Sequence, residues 1–238
     1  MLAEIVENKP INKVLYSLWV KVEEAYKLPL PGQFFLLYID NVFLGRPLTP
    51  VDVSKTHIRF IYIVKGRGTL YLSGLTEGKI RIEGPFGKGI VPEKDKILLI
   101  AGGVGIAPLI YLMRFHESKH TDLLYGVKNV SELLSESEYM YYLNNSLIIT
   151  EDGSKGKKGL VTHYIKEEDY DEFFVCGPLG MLKTIQQMDF KKPVYLFLED
   201  MMGCAQGLCN GCAVKSVNGG YIRTCIKGPV FETREIIL

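Results

Sequence analysis

The sequence predicts an antiparallel β-barrel, then an α/β domain with a mostly parallel sheet, then a small cysteine-bearing C-terminal domain. Three observations carry this reading. Short runs rich in Val, Ile, Tyr and Phe, broken by turn residues, fill the N-terminal part. Longer apolar runs alternate with helical patterns after Pro92. Four of the five cysteines lie between Cys204 and Cys225. The expected divisions are 1–92, 93–198 and 199–238.

In the first part, Val14–Val22, Phe34–Ile39, Ile58–Val64 and Leu70–Leu72 read as strands. The turns between them fall at Pro29-Leu-Pro-Gly32, Gly45, Gly66-Arg-Gly68 and Glu83-Gly-Pro-Phe-Gly87. In the second part, Ile97–Ala101, Leu123–Val127, Leu147–Thr150, Phe173–Cys176 and Val194–Leu198 are apolar throughout, as strands covered on both faces must be. Helical patterns through Leu109–Phe115, Ser131–Leu143, Leu160–Ile165 and Leu179–Met188 supply the cover. The third part, from Glu199 to Leu238, has few long apolar runs and carries the cysteines.

The chain has 238 residues, 47% hydrophobic and 23% charged, enough apolar content for a real core. A net charge of +1 with scattered basic residues gives no electrostatic footprint for nucleic acid or an anionic membrane surface. No stretch reaches the roughly 18 to 20 apolar residues of a membrane span. Residues 1–8 lack the pattern of a secretory leader, so the expected location is the cytoplasm.

The spacing Cys204-x4-Cys209-x2-Cys212, with Cys225 further on, is the plant-type [2Fe–2S] pattern. A tight loop supplies three thiolates and a later segment the fourth. Gly203, Gly207 and Gly211 interleave the ligands, which suits a backbone wrapped closely round inorganic sulfur. The competing reading is a structural zinc site, but those pair two short C-x2–4-C knuckles, and the second half here has one cysteine.

Ile97 to Pro108 is a buried strand entering Gly102-Gly103-Val104-Gly105 and then a helix, whose N–H groups and dipole suit a pyrophosphate. Gly102, Gly103, Gly105 and Pro108 are therefore candidate cofactor-binding residues, with tight strand–helix packing as the alternative. Cys176-Gly177-Pro178 repeats the arrangement at another strand end. Cys176 is either a group on the nicotinamide side or a small buried hydrophobe. In the barrel, Arg46-Pro47-Leu48-Thr49 offers a forked cation and a hydroxyl, and Gly66-Arg-Gly68-Thr69 offers backbone amides. Each is ordinary alone. Together they are coherent, because a hydride donor gives two electrons, a [2Fe–2S] cluster accepts one, and a flavin converts between them.

These residues resemble the ferredoxin–NADP reductase-like flavoproteins, and within them the electron-transfer subunits of the two-subunit, NAD-linked dihydroorotate dehydrogenases. The resemblance spans almost the whole chain. It rests on Arg46-Pro-Leu-Thr49, Gly68-Thr69, Gly102 to Pro108, Cys176-Gly-Pro178, Glu199 to Cys212, and Cys225-x2-Gly-Pro-Val-Phe231. It implies FAD in the barrel, against Arg46, Pro47, Leu48, Thr49, Ile61, Tyr62, Ile63, Gly68 and Thr69. NAD would lie against the glycine turns, and a [2Fe–2S] cluster on Cys204, Cys209, Cys212 and Cys225. Thr49 stands where the family usually has Ser, and Ala205 where it often has Gly. The resemblance further implies a partner, an FMN-containing catalytic subunit that oxidises dihydroorotate to orotate in pyrimidine biosynthesis, in a heterotetramer of two subunits of each kind. Two alternatives share parts of this pattern: the small subunit of a ferredoxin-linked NAD(P)H transhydrogenase, and a zinc-stabilised binding module.

Overall fold

The computed structural model describes residues 1–40, 42–116 and 119–238. Seven strands come first: β1 (Leu2–Pro10), β2 (Leu15–Val22), β3 (Phe34–Tyr38), β4 (Arg46–Leu48), β5 (Pro50–Val53), β6 (His57–Ile63) and β7 (Lys79–Phe86). They form one antiparallel sheet in the order β4-β3-β7-β1-β2-β6-β5. Its two edge strands, β4 and β5, are separated in sequence only by Thr49, so the sheet curls until its edges approach. Period-two alternation sorts the side chains: Phe35 and Leu37 of β3 join Ala3, Leu18, Phe60 and Tyr62 inside, while Phe34 and Leu36 face out. The strand β1 escapes a search for apolar runs because its buried residues, Ala3 and Ile5, alternate with exposed Leu2, Glu4 and Val6.

Leu70–Leu72, expected as a strand, lies instead on helix α1 (Arg67–Ser73). The Thr69 hydroxyl accepts from the backbone N–H of Lys65 (2.9 Å) and Gly66 (3.2 Å), closing the first turn, and only Gly68 and Leu72 are buried. An apolar run of three residues cannot distinguish a strand from one helical turn.

The second sheet contains β8 (Lys96–Gly102), β9 (His120–Val127), β10 (Asn145–Thr150), β11 (Lys157–Lys158), β12 (Glu172–Cys176) and β13 (Val194–Phe197). They pair in parallel in the order β11-β10-β9-β8-β12-β13. Helices α2 (Ile106–Met113) and α3 (Leu179–Gln186) follow β8 and β12. Because β9 and β10 lie on one side of β8, and β12 and β13 on the other, the winding reverses between β8 and β12. That is where open α/β sheets bind ligands.

The expected helices at Ser131–Leu143 and Leu160–Ile165 are absent as α-helices. The first segment is three separate 3-10 turns and the second contains one. In the first, short polar side chains bond locally and compete with a continuous helix: Asn129 accepts from the Ser131 amide and hydroxyl, and Ser135 bonds Ser137. Its Glu138 also reaches across to the barrel, where Arg59 binds both carboxylate oxygens at 2.6 and 2.9 Å. A second bidentate pair, Arg114 with Asp52, ties α2 to β5. Leu15, Val51 and Ile61 share a continuous core with Ile106, Leu109 and Met113, so barrel and α/β domain are packed as one body.

In the last part, β14 (Ala213–Ser216), β15 (Tyr221–Arg223), helix α4 (Thr224–Lys227), β16 (Val230–Glu232) and β17 (Ile236–Ile237) follow. A three-stranded sheet takes the order β15-β14-β17, whereas β16 pairs antiparallel with β13 and extends the second sheet. The segment before β14 packs on the outer face of β3, where Met202, Ala205, Cys212 and Cys225 meet Phe34 and Leu36. Among the described residues no helix is long and apolar enough to cross a membrane.

Candidate functional site

At the switch point two glycine turns touch. Ala101 and Cys176 are register partners on β8 and β12, so Gly102–Gly105 and Gly177-Pro178 leave the sheet side by side. A Cβ on Gly105 would stand 2.3 Å from the Cys176 carbonyl oxygen, and one on Gly102 would stand 2.8 Å from Pro178 Cδ. A Cβ on Gly177 would reach 2.5 Å from Met181 Cε. Packing requires Gly105 and Gly102 to be glycine, while at Gly177 the obstacle is the flexible tip of Met181. Gly103 differs: its φ is +56°, and nothing lies within 4 Å of its Cβ position. Its backbone therefore faces open space at the start of α2, whose first turn contains Pro108. The Cys176 side chain is buried, and burial, then the nearby Glu199 carboxylate, push its thiol well above the usual range. It is a neutral thiol at neutral pH and not an activated nucleophile.

The two barrel motifs also meet. The Arg46 guanidinium lies over Gly68, where a Cβ would be 2.2 Å from Arg46 Nε. Arg46 Nη1 donates to the Leu44 carbonyl at 2.7 Å. Pro47 and Leu48 pair with Leu36 and Phe35 across β4 and β3, and Thr49 makes the turn to β5. Ile61 and Ile63 face the α/β domain. Tyr62 points into the barrel, where its hydroxyl donates to Asn8 Oδ1 at 3.0 Å and burial pushes its pKa up to about 12. The side chains of the Ile61–Ile63 segment therefore divide between two faces, and the Thr69 hydroxyl is already engaged in capping α1.

The cysteine loop is shaped by three left-handed residues, Ala205 (φ +53°), Gly207 (+74°) and Asn210 (+56°), which curl it round its own sulfurs. Ala205 makes plain why glycine suits that position. Cys204 Sγ accepts N–H groups of Leu208 (3.3 Å) and Cys209 (3.4 Å), and Cys209 Sγ accepts that of Gly211 (3.4 Å). Amide donation from Cys209 and Gln206 pulls the Cys204 thiol down to about 6. Burial, then the Cys212 thiol, push Cys225 up to about 11. A loop that points amides at sulfur is built for thiolates carrying negative charge. Two residues other than the cysteines complete it. Arg223 donates to the Gly207 carbonyl at 2.8 Å, and Asp200 accepts from the Thr224 hydroxyl at 3.1 Å. Asp200 falls within the Glu199–Cys212 stretch, whereas nothing in the sequence but closeness to the cysteines marks Arg223.

Comparison with known proteins agrees with this layout. Residues 199–237 match the iron–sulfur cluster binding domain of dihydroorotate dehydrogenase B, and residues 99–187 match the oxidoreductase NAD-binding domain. The dihydroorotate dehydrogenase B (NAD(+)) electron transfer subunit of Clostridium acetobutylicum is 37% identical, covering 99% of this chain and 96% of that protein. The one from Caldanaerobacter subterraneus is 36% identical, covering 100% and 98%. The chain belongs to the dihydroorotate dehydrogenase B electron-transfer subunit family. A solved chain from an NADH-dependent reduced ferredoxin-NADP oxidoreductase superposes with a TM-score of 0.89 at 26% identity, covering 100% of this chain and 90% of that one.

As a dihydroorotate dehydrogenase B electron-transfer subunit, the chain is one component of an NAD-linked iron–sulfur oxidoreductase and serves a separate catalytic subunit. Around its cluster loop the four apolar residues of the sequence divide evenly. Met202 and Ala205 are buried against β3, whereas Met201 and Leu208 are 82% and 79% exposed, so only the second pair is free to meet another molecule. His116 is buried between the Thr121 hydroxyl (2.7 Å) and the Lys94 carbonyl (2.7 Å), and burial lowers its pKa; its role is to hold the fold.

Proposed function

We propose that this chain passes electrons between NAD(H), FAD and a [2Fe–2S] cluster, and exchanges them with the FMN of a catalytic dihydroorotate dehydrogenase subunit. The carrying observation is convergence: β3 pairs through its backbone with β4, which bears Arg46, and packs through its outer side chains against the cysteine loop. The two cofactor regions are therefore two sides of one strand. Bound FAD would convert the two-electron hydride chemistry of NADH into the one-electron steps of the cluster. Arg46, held over Gly68, would supply a forked cation for the FAD pyrophosphate, and the Thr49 hydroxyl and the backbone of the Ile61–Ile63 segment would line its ring. Gly103 presents open backbone to the dinucleotide, while Gly102, Gly105, Gly177 and Pro178 keep the two turns close enough to form one floor. Cys176 stays neutral beside the nicotinamide and fills space. Positioning, not proton transfer, supplies the rate.

Cys204, Cys209, Cys212 and Cys225 would hold the cluster, which would supply one-electron transfer. The C-x4-C-x2-C spacing with a single later cysteine supports a [2Fe–2S] cluster over a single tetrahedral zinc. The complex is a heterotetramer of two electron-transfer and two catalytic subunits in the cytoplasm. An anaerobic absorption titration with NADH, with iron, sulfide and flavin analysis, tests the reading. Flavin and cluster bands that both bleach support it; a colourless zinc protein indifferent to NADH overturns it. A second reading, the small subunit of a ferredoxin-linked NAD(P)H oxidoreductase, is favoured by the 0.89 superposition. Reduction of NAD by dihydroorotate on mixing with the FMN subunit supports the first; reduction by ferredoxin alone supports the second.

A further inference from the structure

Between the flavin strand and the cysteine loop stands a side chain that no motif marks. Tyr38 ends β3 on its outer face, in line with Phe34 and Leu36, and packs against the cluster those two form with Met202, Ala205, Cys212 and Cys225. Its other flank lies under Gly45, the residue before Arg46: a Cβ there would be 3.4 Å from Tyr38 Cε1. Arg46 itself is the register partner of Leu37, the neighbour of Tyr38. The ring thus lies between the strand that leads into the flavin motif and the apolar cluster in which two of the cluster thiols are buried.

The ring is also pinned. Its hydroxyl donates to Glu83 Oε2 at 2.8 Å. Glu83 Oε1 accepts from Arg81 Nε at 3.1 Å and from Arg81 Nη2. The Arg81 guanidinium closes the loop by standing 4.5 Å above the Tyr38 ring. Hydrogen bonding to Arg81 keeps Glu83 below the usual carboxylate range, so the acceptor is charged at neutral pH. Burial and the Glu83 bond push the Tyr38 phenol up. A half-exposed tyrosine that merely covered a sheet would not need a carboxylate, a guanidinium and a cation–π contact to fix its rotamer.

We infer that Tyr38 is a positioning residue that couples the flavin to the cluster: its packed ring sets the contact between the two redox regions, and Glu83 with Arg81 holds that ring in place. The inference rests on the cofactor placement proposed above. NADH supplies two electrons; the cluster accepts one at a time, so its reduction is a step separable from reduction of the flavin.

The test uses the holoprotein and follows flavin bleaching by stopped-flow absorbance and the reduced cluster by rapid-freeze electron paramagnetic resonance. In Tyr38→Leu, flavin reduction by NADH keeps the wild-type rate, the cluster signal keeps its shape, and its appearance slows several-fold. Tyr38→Phe, which keeps the ring and the Arg81 contact and loses only the Glu83 bond, recovers the cluster phase to the level of Glu83→Gln. Glu83→Gln slows that phase by less than Tyr38→Leu, and it carries the test if the Leu variant fails to assemble a cluster. An unchanged cluster phase in these two variants, or equal slowing of both phases, overturns the inference. Failure of NADH to reduce either centre in the wild-type protein would instead remove the cofactor reading on which it stands.

Discussion

The switch-point crevice and the cysteine loop are both glycine-rich, yet glycine does different work in each. In the crevice the demand is steric and comes from the scaffold: Gly105 has the Cys176 carbonyl where a Cβ would go, and Gly102 and Gly177 have Pro178 and Met181. In the cysteine loop a Cβ on Gly203 or Gly211 would make ordinary contacts of 3.4 and 3.5 Å with Cys209 Sγ, and the demand falls chiefly on backbone direction at Ala205, Gly207 and Asn210, with Ile226 Cγ1 also 2.7 Å from where a Gly207 Cβ would go. The crevice is held by parallel strands that exist without any ligand. The loop is drawn round its sulfurs, so its cluster is part of what holds it. Damage to either region should therefore stay local.

The largest effect expected from this contrast is at the loop. Cys212→Ser should abolish the cluster's absorbance and resonance signal and raise amide exchange through residues 203–212, while NADH still reduces the flavin. Loss of flavin reduction to the same degree would show that crevice and loop stand or fall together. The reciprocal change is Gly105→Ala. Its methyl group has no room beside the Cys176 carbonyl, so it should cost about 1–3 kcal/mol of stability, as overpacking does, and weaken NADH binding while the cluster signal keeps its shape. Thermal unfolding with an NADH titration decides it; an unperturbed affinity would mean that the two turns are not one floor.

A smaller effect is expected at Cys176. Its pKa is raised, so the thiol stays protonated throughout the neutral range and gains no charge as pH rises there. Cys176→Ala should leave the pH profile of NADH oxidation between about pH 6 and 8 unchanged and lower the rate modestly. A proton-transfer role would be worth about 100-fold or more, so a loss of that size, or a new pH dependence, would make the crevice a chemical site and not only a scaffold.

The same contrast explains what could be read without coordinates. Cysteine spacing is local along the chain, and so are the strand-turn-helix pattern at Ile97–Pro108 and the apolar runs of the second sheet; each was legible. Closure of the barrel depends on β1, whose Ala3 and Ile5 alternate with exposed residues and make no run. The 3-10 turns of residues 130–142 are set by side-chain bonds at Asn129 and Ser135 and by the reach of Glu138 to Arg59 across 79 residues. Return of the chain as β16 beside β13 is likewise a long-range pairing. The cofactor motifs could be located as segments, but which side chains face a ligand could not: Tyr62 turns into the barrel and Thr69 into its own helix, and Tyr38 carries no motif at all.

The smallest effect should be at Ala205, where several terms oppose one another. A left-handed backbone costs a non-glycine residue roughly 1–2 kcal/mol, which Ala205→Gly would relieve. Against this, the substitution gives up a buried methyl group worth about 0.8 kcal/mol and adds the unfolded-state freedom of glycine, roughly 0.5–1 kcal/mol. The sum is close to zero, so thermal unfolding and iron retention should match the parent closely. A clearly destabilised A205G would mean that the methyl group, 1% exposed against β3, anchors the loop through packing. The loop would then be held as the crevice is, by its scaffold, and the distinction between the two regions would lie in backbone direction alone.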